Sequence, residues 1–270
     1  MGLLTWIRHR WEGLQALTQF DNWPFLVIQR CCFQTPMVFR KRGIRFLVDR
    51  AGGDQYGLIE CVARDMYSRH FPRLPKSRPI RVLDLGANSG GLGLALILDG
   101  FAIERIVAVE MNLRTLARLS FNLVNNLGSK ATLVHAAVCE TERTIRVADN
   151  DGWVGNSIYH QHPTDVTALE VPGVTLDQLT KTYFPNDRVD LLKMDIEFAE
   201  YEVLFSETCK SIVRYDHLLI EIHEDEHHKR KTLIRRLEAL NFEMIADEPG
   251  DGVYFFRNRL RYNKDIKTKS

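Results

Sequence analysis

The sequence predicts an α/β protein built around a mainly parallel sheet that helices cover on both faces. Apolar runs typical of buried strands alternate with amphipathic segments between residues 80 and 240. A glycine-rich turn follows the first apolar run, and two final apolar runs flank the turn-forming segment "DEPGDG". Because strands separated by helices are joined by crossover connections, they pair in parallel and place helices on both sides of the sheet.

The predicted elements follow one another in a regular order. Residues 80–85 form the first strand, and a helical pattern continues from the glycine-rich turn to Leu98. A second apolar run ends at Glu110, and a second helix is expected from about Asn112. The later elements are strands at 131–138, 189–195 and 217–223, helices at 198–208 and 229–240, and two closing strands at 242–246 and 253–256. Residues 140–188 are polar and irregular in pattern, so we expect an insertion over the C-terminal edge of the sheet.

The predicted chain has three parts. Residues 1–75 form an accessory segment with an amphipathic helix and short strands, residues 76–258 form the main domain, and residues 259–270 form a basic tail. The amphipathic helix packs on the main domain or on a partner in one interpretation, and lies at a membrane interface in the other. Its apolar stripe consists of Leu3, Leu4, Ile7, Trp11, Leu14 and Leu17.

Charge is distributed unevenly along the chain. The formal net charge of the 270 residues is +1, yet residues 1–50 carry eight Lys and Arg against three acids, and residues 257–270 carry six against one. Basic ends can hold a protein near an anionic membrane, so peripheral membrane contact is one expectation and solvated tails are the other. No apolar run reaches the roughly 18 residues of a membrane span, and the five cysteines show no paired spacing. We therefore expect a cytoplasmic protein, with the inner face of the membrane as the place of any peripheral contact.

The glycine-rich turn "DLGANSGGLG" suits neither a dinucleotide nor a nucleoside triphosphate. A dinucleotide fingerprint needs a glycine where this chain has Asn88, and a P-loop needs a Gly-Lys-Ser/Thr that the turn lacks. Two carboxylates remain, Asp84 at the end of the first strand and Glu110 at the end of the second. Glu110 can accept hydrogen bonds from both hydroxyls of a ribose, while Asp84 and the turn face an ammonium group.

S-adenosylmethionine combines a ribose diol with a cationic amino-acid part and has no phosphate. It is therefore the ligand that this turn predicts, and a tight structural turn in another α/β protein is the alternative. The predicted cofactor contacts are Asp84, Gly86, Ala87, Asn88, Gly90, Glu110, Met111, Asn112 and Ala137.

An ordered set of motifs resembles the FkbM-type methyltransferases of the class I S-adenosylmethionine-dependent fold. The motifs are "VLDLGANSGGLG", "VAVEMN", "NLVNN", "VTLDQL", "LLKMDIEFAEYEVL" and "LLIEIH". The resemblance covers about residues 43–245 and implies a doubly wound seven-stranded sheet, of the Rossmann-like type, that ends in an antiparallel hairpin. It also implies O-methylation, commonly of sugar hydroxyls in glycolipids, polysaccharides or glycosylated metabolites.

The chain departs from the family pattern at two positions. Met111 stands where the family usually has proline in Glu-Pro-Asn, and Phe198 stands where it usually has glycine in Asp-x-Glu-Gly. Phe198 adds bulk beside the expected active site, so the acceptor pocket is expected to differ from that of relatives.

The predicted catalytic residues lie at the ends of two neighbouring strands. Methyl transfer to an alcohol benefits from a base within hydrogen-bond reach. Glu221 and His223 are two residues apart on one strand and point to the same face, next to Asp195. We expect His223 or Asp195 to be the base and the other to orient it. In a second interpretation Asp195, Glu197 and Glu221 hold Mg²⁺, and in a third Glu197 and Glu221 only satisfy buried backbone or pair with Lys193. The predicted substrate contacts are Glu197, Trp153, Asn156 and Ser157.

The segment from His223 to His227 spells the H-E-x-x-H pattern of zinc proteases, which has a mechanical meaning only on a helix. Here His223 is predicted to end a strand, with the next helix beginning near Asp225 or Glu226. A zinc protease is therefore not expected.

The sequence favours an S-adenosylmethionine-dependent O-methyltransferase that acts on a saccharide or glycolipid acceptor. A protein side chain or a small natural product as acceptor, and a non-catalytic cofactor-binding module of a membrane-associated glycan assembly, are the alternatives. Nucleic acid is disfavoured as a partner, because no cluster of aromatic and basic residues accompanies the pocket motifs.

Overall fold

The structure, a computed structural model, describes residues 16–32, 36–148, 168–248 and 252–261. Its helices are α1 (Trp23–Cys32), α2 (Asp54–Ala63), α3 (Gly91–Leu98), α4 (Leu113–Leu127), α5 (Leu176–Tyr183), α6 (Ala199–Phe205) and α7 (Arg230–Ala239). Its strands are β1 (Met37–Lys41), β2 (Ile44–Val48), β3 (Ile80–Leu85), β4 (Ile103–Glu110), β5 (Ala131–His135), β6 (Ala137–Val138), β7 (Arg143–Ala148), β8 (Ala168–Val174), β9 (Val189–Met194), β10 (Tyr215–Glu221), β11 (Phe242–Glu248) and β12 (Val253–Asn258). Short 3-10 helices occur at Ser68–Arg73, Gly128–Lys130 and Lys210–Arg214.

Seven strands form the central sheet in the order β11-β12-β10-β9-β3-β4-β5. β12 runs antiparallel to its neighbours β10 and β11, and the remaining pairs are parallel. The predicted doubly wound, mainly parallel α/β fold is therefore confirmed, together with its closing antiparallel hairpin. Successive crossovers change direction between β3 and β9, and sheets of this kind bind ligands in the crevice at the carboxyl ends of such strands.

The sheet is apolar on both faces because its strands are buried between two layers. In β3, Val82 packs into one apolar cluster, while Leu83 and Leu85 pack into the other. Phe255 and Phe256 of β12 divide between the same two clusters. This two-sided burial explains why the strands read as continuous apolar runs rather than as alternating patterns.

The accessory hairpin β1-β2 shares the core of the sheet. Phe20, Phe39 and Phe46 pack ring against ring, with centroids between 4.8 and 5.9 Å apart. These rings belong to the same apolar cluster as Val82 of the central sheet. The described part of the predicted accessory segment is therefore packed on the main domain.

Two asparagines of α4 act as a pairing partner for β2. Asn122 Oδ1 accepts from the backbone N–H of Leu47 at 2.6 Å, and its Nδ2 donates to the Leu47 carbonyl at 3.1 Å. Asn126 makes the same pair of bonds to Arg45, at 3.3 and 2.7 Å. Asn122 Nδ2 also donates to the carbonyl of Ser89 at 2.7 Å, so it joins the hairpin to the glycine-rich turn.

Two expectations for the middle of the chain are wrong. Residues 131–138 form two strands rather than one, because β5 ends at His135 and β6 joins a separate three-stranded sheet in the order β6-β8-β7. Residues 140–188 are not irregular throughout, since β7, β8 and α5 lie within them. Alternate residues of β7 and β8, including Ile145, Val147 and Val171, fill a small apolar cluster of their own. This alternation of apolar and polar residues was not recognised as strands from the sequence.

The start of α7 agrees with the helix predicted at 229–240 and differs from the other expectation, a start near Asp225 or Glu226. The helix begins at Arg230. Asp225 Oδ1 accepts from the backbone N–H groups of His227 and His228, at 2.8 and 2.7 Å. This side-chain turn competes with helical hydrogen bonding and delays the helix.

Within the described ranges, no helix combines the length and the apolar character that crossing a membrane requires.

Candidate active site

The glycine-rich turn leads directly from β3 into α3. Gly86 adopts φ +69° and Gly90 φ +95°, a left-handed conformation that glycine reaches without steric cost. A Cβ at Gly86 would overlap the backbone carbonyl oxygen of Asp195. Asn88 also adopts a positive φ, 49°, which asparagine tolerates better than most residues. The turn therefore lies against the end of β9, which carries Asp195.

Glu110 lies at the carboxyl end of β4 beside this turn. Its two carboxylate oxygens accept from the backbone N–H groups of Asn88, at 2.9 Å, and of Asn112, at 2.8 Å. Burial raises the pKa of Glu110, and the two backbone hydrogen bonds oppose that shift. A carboxylate has about four acceptor sites, so each oxygen keeps capacity for a further donor. The arrangement fits the predicted binding of a ribose diol.

Asp84 is placed differently from its prediction. It is completely buried, and its nearest charged group is the ammonium of Lys193, with Nζ 3.5 Å from Oδ1. Burial raises the pKa of Asp84, and Lys193 opposes this shift. Neither carboxylate oxygen has a hydrogen-bond partner among the described residues. Asp84 is therefore paired with Lys193 inside the protein and is not exposed to an open ligand site.

The remaining predicted cofactor residues surround the turn. Asn112 caps α4, since its side chain accepts from the backbone N–H groups of Arg114 and Thr115. The Met111 carbonyl lies 2.9 Å from His135 Nε2. Ala137 is buried, and its side chain belongs to the apolar cluster of the three-stranded sheet. Ala87 is buried as well, and its N–H donates to the carbonyl of Val109 at 2.9 Å.

Lys193 connects the turn to the expected catalytic carboxylate. Its ammonium donates to the Gly86 carbonyl at 2.6 Å and lies 3.3 Å from Asp195 Oδ2. Burial opposes the charge of Lys193, but the adjacent Asp195 and Asp84 outweigh burial and raise its pKa. The ammonium therefore stays charged and holds Asp195 at the end of β9.

His223 lies two residues beyond β10 and contacts two glutamates. Its Nδ1 is 2.9 Å from Glu200 Oε1, and its Nε2 is 3.4 Å from Glu197 Oε2. Burial opposes protonation of His223, but the hydrogen bond to Glu200 and the surrounding carboxylates raise its pKa to about 9. Burial and the charge of Asp195 raise the pKa of Glu197 to about 7.

One expectation for this cluster is wrong, because Asp195 does not orient His223. Lys193 attracts the Asp195 carboxylate, whereas Glu200, in the first turn of α6, reaches the imidazole. Glu221 is half-buried at the end of β10, and burial together with Asp195 raises its pKa.

Phe198 stands at the N-terminus of α6 with φ +76°, and the preceding Glu197 has φ +52°. These angles explain why glycine suits the position of Phe198. Its ring lies 5.4 Å from the ring of His223 and 5.7 Å from that of His228, between centroids. The bulky side chain of Phe198 therefore lies beside the cluster around His223, as the sequence predicted.

The predicted magnesium site does not fit this cluster. Among the described residues, the side chains that bring ligand atoms within 4.8 Å of one another are Asp195, Glu197 and His223, and Glu221 is not among them. Magnesium prefers an octahedral shell of oxygen atoms. Here an imidazole occupies the space between carboxylates, and an ammonium lies against Asp195.

Several predicted features lie outside the described residues or have no support from the geometry. Trp153, Asn156 and Ser157 fall outside the described residues, as does most of the N-terminal amphipathic stripe. The zinc-protease pattern is not on a helix, because residues 222–229 precede α7.

Sequence reasoning missed the importance of Glu200 and gave Lys193 only a subordinate role. Both residues are buried ionisable groups beside predicted site residues. A lysine inside the apolar run "LLKMD" was a usable signal, since buried lysines are rare unless they are paired. Glu200 lies in an ordinary amphipathic pattern and carried no such signal.

Comparison with known proteins gives a family. The model of the FkbM methyltransferase domain matches residues 84–244. Among curated proteins, none matches the chain. Among solved structures, the chain is similar to a methyltransferase FkbM from Methylobacillus flagellatus KT, with 17% identity, a TM-score of 0.45, and coverage of 78% of this chain and 55% of that chain. It therefore spans about half of that relative's length.

Two other solved structures are similar at lower identity. TYW2 of M. jannaschii, in complex with AdoMet, shares 14% identity with a TM-score of 0.37, covering 83% of this chain and 84% of that chain. A ribosomal protein L11 methylase from Lactobacillus delbrueckii subsp. bulgaricus shares 10% identity with a TM-score of 0.42, covering 77% and 80%.

Proposed function

The chain belongs to the FkbM methyltransferase family, and on that premise we propose that it transfers a methyl group from S-adenosylmethionine to a hydroxyl of a saccharide-containing acceptor. The acceptor is a glycolipid, a polysaccharide or a glycosylated metabolite. The observation that carries the proposal is the position of Glu110, a carboxylate held by two backbone N–H groups beside a glycine-rich turn.

The residues of the turn fit S-adenosylmethionine. Glu110 keeps acceptor capacity for two hydroxyls. Asn88 stands where a dinucleotide motif has its second glycine, so the turn lacks the residue that lets the backbone approach a pyrophosphate closely. Lys193, paired with the buried Asp84, donates to the Gly86 carbonyl and so fixes the first residue of the turn. When bound, S-adenosylmethionine supplies an electrophilic methyl group.

We propose His223 as the base of the reaction. Its Nε2 lies near Glu197 and Asp195, at the carboxyl ends of the central strands. The acceptor hydroxyl would donate its proton to Nε2, because a neutral alcohol is a poor nucleophile. Glu197 can accept a hydrogen bond from a neighbouring hydroxyl and so orient the acceptor. Trp153, Asn156 and Ser157 remain proposed acceptor contacts.

The acceptor class rests on the family and on the chemistry of the cluster. Carboxylates bind sugar hydroxyls as hydrogen-bond acceptors, and the ring of Phe198 offers a face for the apolar side of a sugar. The basic segments at residues 1–50 and 257–270 would hold the chain at the anionic inner face of a membrane, where a glycolipid acceptor is found. Cytoplasmic location and peripheral membrane contact are parts of this proposal.

The proposal is tested by incubating the purified protein with methyl-labelled S-adenosylmethionine and an extract of its source cells. Label is then counted in the glycan-lipid, protein, small-metabolite and nucleic-acid fractions. We expect label in the glycan-lipid fraction and no effect of EDTA, since the cluster does not fit magnesium.

A test variant and a matched control separate a loss of cofactor binding from a general loss of folding. Glu110→Gln replaces one acceptor oxygen with an NH₂ group that opposes a backbone N–H, so we expect it to lose S-adenosylmethionine binding in calorimetry. Glu104→Gln makes the same change at an exposed position of the same strand and should bind normally.

Other outcomes change the assignment. Label in protein or in a small metabolite would refute the saccharide acceptor and retain the methyltransferase. Normal cofactor binding without label in any fraction would favour the non-catalytic cofactor-binding module.

A further inference from the structure

We propose that Glu200 is the positioning residue of the active site, whose carboxylate fixes the imidazole of His223 so that Nε2 faces the acceptor. The catalytic consequence rests on the methyl transfer proposed above. The structural part, a Glu200–His223 pair of defined protonation, can be tested without any acceptor.

The hydrogen bonds of Glu200 define which nitrogen of His223 carries a proton. Glu200 is completely buried in the first turn of α6. Its Oε1 accepts from the backbone N–H of Ile196 at 3.1 Å and lies 2.9 Å from His223 Nδ1. An oxygen that already accepts from a backbone N–H acts as an acceptor toward the imidazole as well. Nδ1 of His223 therefore carries the proton, and Nε2 is the nitrogen that can receive another.

The backbone and ring of His223 are held from the same helix. The hydroxyl of Tyr201, the residue after Glu200, donates to the carbonyl of His223 at 3.0 Å. The ring of Phe198 packs 5.4 Å from the imidazole. With Nδ1 bound to Glu200, Nε2 lies on the other side of the imidazole ring, 3.4 Å from Glu197 Oε2. The first turn of α6 thus sets both the place and the direction of the base.

The charged groups around His223 come from three neighbouring elements. Glu200 faces it from α6, Glu197 from the loop before α6, and Asp195 from the end of β9. Glu221 precedes it by two residues, and the ring of Phe198 packs near both His223 and His228. Burial lowers the pKa of His223, and the hydrogen bond to Glu200 is the largest of the effects that raise it. Glu200 therefore stabilises the positive charge that His223 acquires as a base.

In the proposed step the acceptor hydroxyl gains the methyl group and loses its proton. The acceptor oxygen forms a bond to the methyl carbon while the bond between that carbon and the sulfonium sulfur breaks, and the sulfur leaves as a neutral thioether. The hydroxyl proton moves to Nε2 of His223, and the proton on Nδ1 stays in its hydrogen bond to Glu200. The imidazolium that results forms an ion pair with the side chain of Glu200.

The first experiment observes His223 directly by ¹⁵N NMR of histidine-labelled protein over a pH titration. A His223→Asn variant assigns the signals among the 9 histidines. We expect Nδ1 to be protonated throughout, and the midpoint of the Nε2 titration to lie above the ordinary value of about 6.5. A neutral His223 protonated on Nε2 would overturn the proposal. Because this result needs no Glu200 variant, it stands even if that variant folds poorly.

The second experiment compares Glu200→Gln with Glu202→Gln, a matched change on the same helix. Glu202 bonds to Glu140 and Arg143, away from the imidazole. Only Glu200→Gln should lower the titration midpoint of His223, because burial then acts against the carboxylates of Glu197 and Asp195 alone. Equal midpoints in the two variants would refute the role of Glu200.

Kinetics separates this inference from the proposed function. With a labelled acceptor in hand, we expect Glu200→Gln to lower kcat by on the order of 10²-fold with an unchanged KM for S-adenosylmethionine. The rise of kcat/KM with pH should move to lower pH. A midpoint shift specific to Glu200→Gln, in a protein that transfers no methyl group to any acceptor, would support the pair and refute the proposed function.

Discussion

Gly86 joins the cofactor turn to the proposed catalytic end of the sheet at the scale of one residue. Its φ of +69° continues the turn, and its hydrogen atom faces the carbonyl oxygen of Asp195. The backbone N–H of Asp195 in turn donates to the Leu85 carbonyl at 3.1 Å. The glycine-rich turn and the proposed catalytic residues are thereby held by the same few backbone atoms.

A Gly86→Ala variant should lose cofactor binding. Its Cβ would force apart the turn and the backbone of Asp195, at a cost greater than the roughly 1–2 kcal/mol of left-handed backbone alone. Gly100→Ala is the matched control, because Gly100 has φ +82° with no atom within 4 Å of an added Cβ. Calorimetric titration should detect binding to Gly100→Ala only, and normal binding by Gly86→Ala would contradict the close approach.

The proposed base sets the pH dependence of the reaction. His223 accepts a proton only when its Nε2 is free, and that form grows as pH rises through its pKa of about 9. We therefore expect kcat/KM to rise about tenfold per pH unit below pH 9 and to level off above it. A plateau that begins near pH 7 would instead assign the base to Glu197, whose pKa is raised to about 7.

Phe198 is expected to strain the backbone at the N-terminus of α6. Phe198→Ala removes the ring and keeps a Cβ at φ +76°, whereas Phe198→Gly removes both. The free energy of unfolding should therefore be about 1 kcal/mol higher for the glycine variant. Urea denaturation measures the difference.

In the labelling assay both variants should accept bulkier acceptors, and an unchanged acceptor range would show that the ring does not limit the pocket.

At the scale of elements, α4 serves three parts of the molecule. It packs on the sheet, its N-terminus is capped by Asn112 next to Glu110, and its amides pair with β2. Three of the five residues in "NLVNN" are asparagines, and one of them, Asn122, is fully buried. Buried amides are kept because the backbone groups they satisfy would otherwise be unpaired.

Asn122→Leu tests this pairing. It leaves the N–H and carbonyl of Leu47 and the carbonyl of Ser89 without their partner, and an unsatisfied buried polar group costs about 1–3 kcal/mol. We expect the free energy of unfolding to fall by about 2–4 kcal/mol in chemical denaturation. Asn126→Leu, at a half-exposed position with the same bonding pattern, should cost less than about 1 kcal/mol because water replaces the amide. Equal losses would show that burial does not decide the effect.

For the whole molecule, the important feature is the apolar cluster common to the hairpin and the sheet. Phe46 and Phe39 of the hairpin belong to the same cluster as Val82 and Phe255 of the sheet. A shared core makes the two parts unfold together, since neither can lose its packing alone.

A single calorimetric transition is therefore expected for the chain. Phe46→Ala should lower its midpoint without splitting it, because removing a buried phenylalanine costs about 3–5 kcal/mol. Phe25→Ala removes a ring that is 53% exposed and should leave the midpoint nearly unchanged. Two transitions in Phe46→Ala would show that the hairpin is an independent unit.

The sequence was informative about the fold because strands buried on both faces leave long apolar runs. All seven strands of the central sheet and the turn at residues 84–93 were predicted near their observed positions. The three-stranded sheet was not, since its strands bury few side chains and β8 contains Pro172 and Gly173, which disfavour a strand.

The candidate site was less predictable than the fold. Residues at strand ends, such as Glu110 and Asp195, follow from the strand pattern. The ion pair of Asp84 with Lys193 and the bond between Glu200 and His223 depend on rotamers and on distances between elements far apart in sequence. No spacing rule relates a helix residue to a strand end across such a gap.

The link from Leu47 through Asn122 to Ser89 makes the hairpin a reporter of events in the turn. A ligand that binds the turn adds its binding free energy to the cost of any local opening that breaks the Asn122 bonds. The backbone amide of Leu47 should then exchange its hydrogen with solvent more slowly when the turn is occupied. Hydrogen exchange at this strand would thus measure the affinity of unlabelled ligands without any catalytic turnover.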